Sequence, residues 1–222
     1  MAARAQAKKP KVKAGAPASF ARRPLRTIKP GEAADEYTHP RQQLARLERN
    51  GALHRVANGY YIVTPQDQVG LRWTPALEAV AAGIGSADFG PRHAILMGIS
   101  AARVHGAIPR GLSVAVVAVP KQRLRVHLRD RKGQVLFVKR ATDRLDAEAL
   151  TTELGRALVT TVEQTVLDLA HRPTLGDAEV DVPTAIRTLL PRCDQGRMTM
   201  IASEQRLRSA HQRALVLGQA RA

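Results

Sequence analysis

The sequence predicts an α+β protein: a small N-terminal winged helix-turn-helix, then a mixed α/β domain whose small sheet is flanked by helices. Three observations predict it. A proline-initiated amphipathic stretch runs directly into an Asn-Gly hairpin over residues 40–63. A continuous β-branched run is followed by two further strand-like runs over residues 113–139. Helical periodicity then returns over residues 160–218.

The chain has 222 residues, with 35 Lys+Arg against 19 Asp+Glu and a formal net charge of +16. Residues 1–29 carry +9 and residues 121–140 carry +7, so two short segments account for the whole excess. Charge placed in this way points to a polyanionic partner. Residues 2–19 are rich in Ala, Lys and Pro and have few large apolar side chains, too few to offset their ordering entropy. A disordered basic arm is therefore expected over residues 1–22, acting either as a solubilising tail or as a DNA-tracking arm. A winged-helix domain is expected over 23–66 and a larger α/β domain over 67–222. No run approaches the roughly 18 apolar residues of a membrane span, and no signal-peptide block opens the chain. A lone Cys193 forms no internal disulfide, so the expectation is a cytoplasmic protein of a reducing compartment.

Before the main helix there is room for a short segment over 24–28 and a helical turn near 32–36. Pro40 suits a first helical position because its missing N–H would be unpaired there in any case. Leu44 and Leu47 mark the inward stripe, Gly51 ends the helix, and Gln42, Ala45, Arg46 and Arg49 fall on the opposite face. Leu53-His54-Arg55-Val56-Ala57 and Tyr60-Tyr61-Ile62-Val63 flank Asn58-Gly59, which suits a type I′ turn with both central residues at positive φ. If the helix enters a major groove, Arg41, Gln42, Arg46 and Arg49 face bases and phosphates. Arg55 and Asn58 then lie on a wing along the backbone. The alternative is an ordinary solvated helix and hairpin.

Farther along, helices are expected from Thr74 through Ala81 and over residues 92–105, and residues 113–119 read as a buried strand. Residues 123–129 alternate strictly, which sets Leu124, Val126 and Leu128 on one face and Arg123, Arg125, His127 and Arg129 on the other. Four positive groups on one strand face repel one another, and an anionic partner, nucleic acid or an acidic protein surface, would relieve that. A strand near 135–139 completes a hairpin. Thr160 and Glu163 have capping-box spacing before a helix over 162–171, with Asp168 off its core stripe. Helices near 182–190 and 203–218 finish the chain.

Three stretches together resemble the AbiEi family of bacterial antitoxins and autoregulators. Residues 40–61, PRQQLARLERNGALHRVANGYY, are similar to its winged helix; residues 99–106, ISAARVHG, to a Ser-Ala-x-x-x-His-Gly helix end; and residues 158–169, LVTTVEQTVLDL, to a third shared segment. The likeness spans about 24–173 with order and spacing intact. It implies repression of the protein's own operon at inverted repeats in double-stranded DNA, and a C-terminal domain that counteracts an AbiEii-type nucleotidyltransferase toxin. It carries Gln42, Arg46, Arg49 and Arg55 over as DNA contacts. A dimer on a palindromic site is expected, as is the alternative of two monomers on adjacent half-sites. A standalone winged-helix regulator without a toxin is the second reading.

An enzyme is not expected. The sole acid-x-Lys motif, Asp130-Arg131-Lys132, falls in a turn, and no acid lies between Asp88 and Asp130. The seven histidines show no paired metal-ligand spacing and no phosphate-binding loop exists, so neither metal nor cofactor is expected.

Overall fold

The computed structural model describes residues 15–219. Its N-terminal part comprises α1 (Ala18–Ala21), β1 (Thr27–Ile28), α2 (Pro40–Arg49), β2 (Leu53–Ala57) and β3 (Tyr60–Val63), the strands forming an antiparallel sheet in the order β1-β3-β2. Pro40 opens α2, and a Schellman motif closes it. Ala52 N–H donates to Leu47 O at 3.0 Å and Gly51 N–H to Glu48 O at 2.9 Å, with Gly51 at φ +76°. Every residue of β3 is buried because both faces of the small sheet are covered. Tyr61 and Val63 meet Phe20, Ile28, Leu44 and Leu47 on one side, while Tyr60 and Ile62 join the core of the larger region on the other.

The arm expected over 1–22 does not extend over residues 18–22, which form α1 and its C-cap. Residues 1–14 lie outside the described residues, whereas Phe20 of α1 is 1% exposed and belongs to the core beneath α2. One large aromatic is enough to tie down a polar segment.

The larger region contains α3 (Leu77–Phe89), β4 (Ile95–Leu96), α4 (Gly98–Val104), β5 (Val114–Val119), β6 (Val126–His127), β7 (Gln134–Lys139), β8 (Ala147–Thr152), β9 (Gly155–Thr160), α5 (Val162–His171), α6 (Val182–Leu189), α7 (Gln195–Glu204) and α8 (Arg208–Gln219). The strands form a mixed six-stranded sheet in the order β6-β7-β5-β4-β9-β8. β5 pairs in parallel with β7, and β4 in parallel with β9. Val116 and Ala118 of β5 face the helices α4 to α8, and Ala115, Val117 and Val119 face α3, which explains why its sequence is apolar without alternation. On that second face α3 also touches the small sheet: a Cβ at Gly83 would collide with the Thr27 hydroxyl.

The mixed α/β class is as expected, but the sheet is larger and several boundaries move. The helix expected over 92–105 is shortened at its start, since Ile95 and Leu96 are taken into the sheet and α4 begins only at Gly98, at φ +55°. The β8–β9 hairpin adds an edge whose polar sequence gave no strand signal. The final helix divides into α7 and α8 around Arg206, at φ +58°. Capping of α5 falls one residue later than expected: Thr161 accepts the Gln164 N–H at 3.4 Å, while the Glu163 carboxylate accepts from Asp194 N at 2.9 Å. Asp168, expected off the core stripe, is buried. It is 3% exposed, bonded to Arg140 at 3.3 Å and Gln164 at 3.1 Å, and burial pushes its carboxyl up to about 6 despite the Arg140 charge.

Candidate nucleic-acid interface

The outward side of α2 is built by the helical period. With Leu44 and Leu47 buried, Arg41, Gln42, Ala45, Arg46 and Arg49 are exposed. Among the described residues no carboxylate lies within ion-pair distance of Arg41, Arg46 or Arg49. Arg49 Nε donates to Ala45 O at 3.3 Å, which leaves the rest of its fork outward. The face combines three uncompensated guanidiniums with one amide, the donor and acceptor set that base edges and phosphates take.

At the hairpin tip Gly59 has φ +81°, but Asn58 does not adopt positive φ, so the turn is not the type I′ expected. A bulge between Arg55 and Ala57 supplies the strand twist instead. Arg55 lies 5.7 Å from the centre of the Tyr61 ring and donates to Asn58 Oδ1 at 3.3 Å. The same oxygen accepts from Arg129 at 3.1 Å, so two guanidiniums from segments 74 residues apart converge on one side-chain carbonyl. Arg129 N also donates to Val56 O at 2.8 Å, and Ala57 bridges Leu128, so the second basic segment continues the edge of the hairpin.

That second segment differs from the strand expected over 123–129. Only Val126–His127 pairs, with Val135 and Gln134 of β7. Arg125, His127 and Arg129 are exposed and Leu128 is buried, in line with the alternation, but the pattern inverts at its start. Arg123 turns inward onto Asp88 at 2.8 Å and stacks over Tyr60 and Phe137, with centroid distances of 5.8 and 5.4 Å. Leu124 points out and is 88% exposed. A second cation on the buried Asp88 carboxylate, together with stacking on two aromatic rings, outweighs the apolar preference of one leucine.

Asp88 also accepts from Lys29 Nζ at 3.2 Å and from the Tyr60 hydroxyl at 2.9 Å. Burial first, then the Asp88 carboxylate, push the Tyr60 hydroxyl above its ordinary range and keep it a donor. This cluster joins the hairpin, α3 and the second basic segment. The sequence carried one sign of it: Asp88 is the last acid before forty-one residues without one, so a buried cation in that stretch has few other partners. Asp130 is a second junction. Burial alone would raise its carboxyl, but hydrogen bonds from His54 at 2.8 Å and Arg131 at 2.8 Å outweigh it and hold it at about 2.

Ser100 and His105 have separate structural partners. Ser100 Oγ accepts the Val116 N–H at 2.8 Å, and His105 Nε2 lies 2.7 Å from Thr160 O. Among the described residues there is no group of three or more His, Cys, Asp or Glu that could hold a metal ion, and no helix is long and apolar enough to cross a membrane.

The family described as the AbiEi antitoxin C-terminal domain matches residues 93–219. Among solved structures the chain is similar to the RV2827C protein from Mycobacterium tuberculosis, at 17% identity and a TM-score of 0.58, over 93% of this chain and 78% of that one. At that identity the likeness concerns the fold. No curated protein matches the chain.

Proposed function

The chain belongs to the AbiEi antitoxin family, whose place in toxin–antitoxin systems implies a toxin partner, and from that premise we propose that it is also a sequence-specific DNA-binding repressor of its own operon. The carrying observation is the side of α2 that presents Arg41, Gln42, Arg46 and Arg49 without carboxylate partners among the described residues, beside a hairpin tip where Arg55 and Arg129 share Asn58. In this reading residues 23–66 form a winged helix that docks α2 in the major groove, and the hairpin tracks the adjoining backbone. Arg125, His127 and Arg129 extend the backbone contact, because Arg129 already stands on the hairpin edge. Residues 67–222 act as the antitoxin region against a nucleotidyltransferase toxin, in the bacterial cytoplasm.

Footprinting on the DNA upstream of the protein's own gene tests the repressor reading. Two protected half-sites in inverted orientation are expected, and protection abolished by Arg46→Ala with Arg49→Ala assigns it to α2. An upstream region without protection, at low salt and high protein, overturns it. Growth rescue of cells expressing a neighbouring nucleotidyltransferase tests the toxin assignment separately.

A further inference from the structure

A single exposed leucine needs no explanation in itself, but the setting of Leu124 is specific. Its 88% exposure is the highest of the large apolar side chains among the described residues. The loop that carries it is held on both sides. Gln122 Nε2 donates to Arg123 O at 3.2 Å and to Phe137 O at 3.5 Å, and Arg125 Nη1 donates to Gln134 Oε1 at 3.4 Å. Arg123 itself is fixed by Asp88, Tyr60 and Phe137. Leu124 is thus the outward tip of a preorganised loop. Tyr60, which Arg123 contacts, is the first residue of β3 after the hairpin turn, so the loop is anchored to the hairpin through its neighbouring residue.

The chemistry around the tip selects the partner. Lys121, Gln122 and Arg125 are exposed neighbours, and no other large apolar side chain near it in sequence is exposed. A protein-binding centre would present a broader apolar or aromatic patch. An apolar side chain on a hydrogen-bonded loop, flanked in sequence by the exposed Lys121 and Arg125, fits a duplex whose phosphates take the cations while the leucine fills a gap between partly unstacked base pairs.

We propose that Leu124 is a wedge that enters the minor groove beside the hairpin tip, unstacks one base step and kinks the DNA. The inference rests on the DNA-binding reading of α2 and the hairpin. Anchoring of Arg123 on Asp88 positions the wedge, and the flanking Lys121 and Arg125 hold the strands on either side of the opened step.

The test uses the full-length protein on duplex DNA carrying the region upstream of its own gene. Permanganate reactivity of unstacked thymines and circular-permutation gel mobility report distortion, and the footprint reports binding. The wild type is expected to give a reactive step flanking the footprint and a position-dependent mobility shift. Leu124→Ala keeps the footprint and its thermal midpoint and loses both distortion signals, and Leu124→Met restores them. Distortion unchanged in Leu124→Ala, or absent from the wild type despite a footprint, overturns the wedge alone. Absence of any footprint removes the DNA reading and the wedge together.

Discussion

Arg46 and Arg123 carry the same guanidinium and both fall in strongly basic surroundings, yet one is exposed with no carboxylate partner among the described residues and the other is engaged by Asp88 and two aromatic rings. On α2 the helical period alone decides the outcome, because Leu44 and Leu47 occupy the buried side and every cation must lie on the other. In the second segment the period is overridden at its first two positions by a carboxylate 35 residues earlier in the chain. Charge counted along a sequence therefore overstates the charge available to a partner. The exposed cations, Arg41, Arg46 and Arg49 set by the helical period and Arg125 and Arg129 left by long-range packing, are a subset of those the sequence counts.

The contrast can be broken from the structural side with the largest effect. Asp88→Ala removes the partner of Lys29, Tyr60 and Arg123 at once and is expected to cost about 3 kcal/mol of stability by urea denaturation, the low end for a broken buried pair because Lys29 and Arg123 are partly exposed. A cost below about 0.5 kcal/mol would make Asp88 an ordinary surface carboxylate.

Next in size is the effect on DNA. Arg46→Ala and Arg49→Ala are each expected to weaken operator binding by about 1–3 kcal/mol in a gel-shift titration, with the urea midpoint unchanged. Arg123→Ala is expected to do the reverse, lowering the urea midpoint with little change in affinity. Equal reductions of affinity at Arg46 and Arg123 would erase the distinction between the two regions.

A smaller effect concerns the N-terminal charge. Removing residues 1–14, which hold five Lys/Arg, is expected to lower affinity across all sequences and to reduce the salt slope by up to about 0.9 for each phosphate that the shortened chain leaves unneutralised. The cut stops before Phe20, whose removal would disturb the core beneath α2. An unchanged slope would make this segment a bystander.

The smallest effects lie in pH dependence, and two carboxylates of the larger region give opposite signs. Asp168, raised to about 6 from an ordinary 3.8, binds its proton more tightly in the folded chain; its contribution is full below 3.8 and fades as pH rises through about 6. Asp130, lowered to about 2, contributes above 3.8 and ceases to contribute as pH falls through about 2. Urea midpoints against pH are expected to lose their decline between about pH 4 and 6 in Asp168→Asn, and their decline below about pH 4 in Asp130→Asn. Identical profiles in both variants would contradict the two environments described.

Local patterning was sufficient to read the α2–β2–β3 unit, the exposed side of α2, the buried β5 run and α5 from the amino-acid order. A 3.6 or 2 period, proline and glycine at helix ends, and a turn dipeptide all act through the backbone sterics of neighbouring residues. The six-stranded order, the anchoring of α1 through Phe20, the burial of Asp168 and the inversion at Arg123 and Leu124 emerged in three dimensions alone. Sheet order and the pairing of buried charge depend on residues far apart along the chain, where desolvation and packing choose the partner and short-range periodicity carries no information about it.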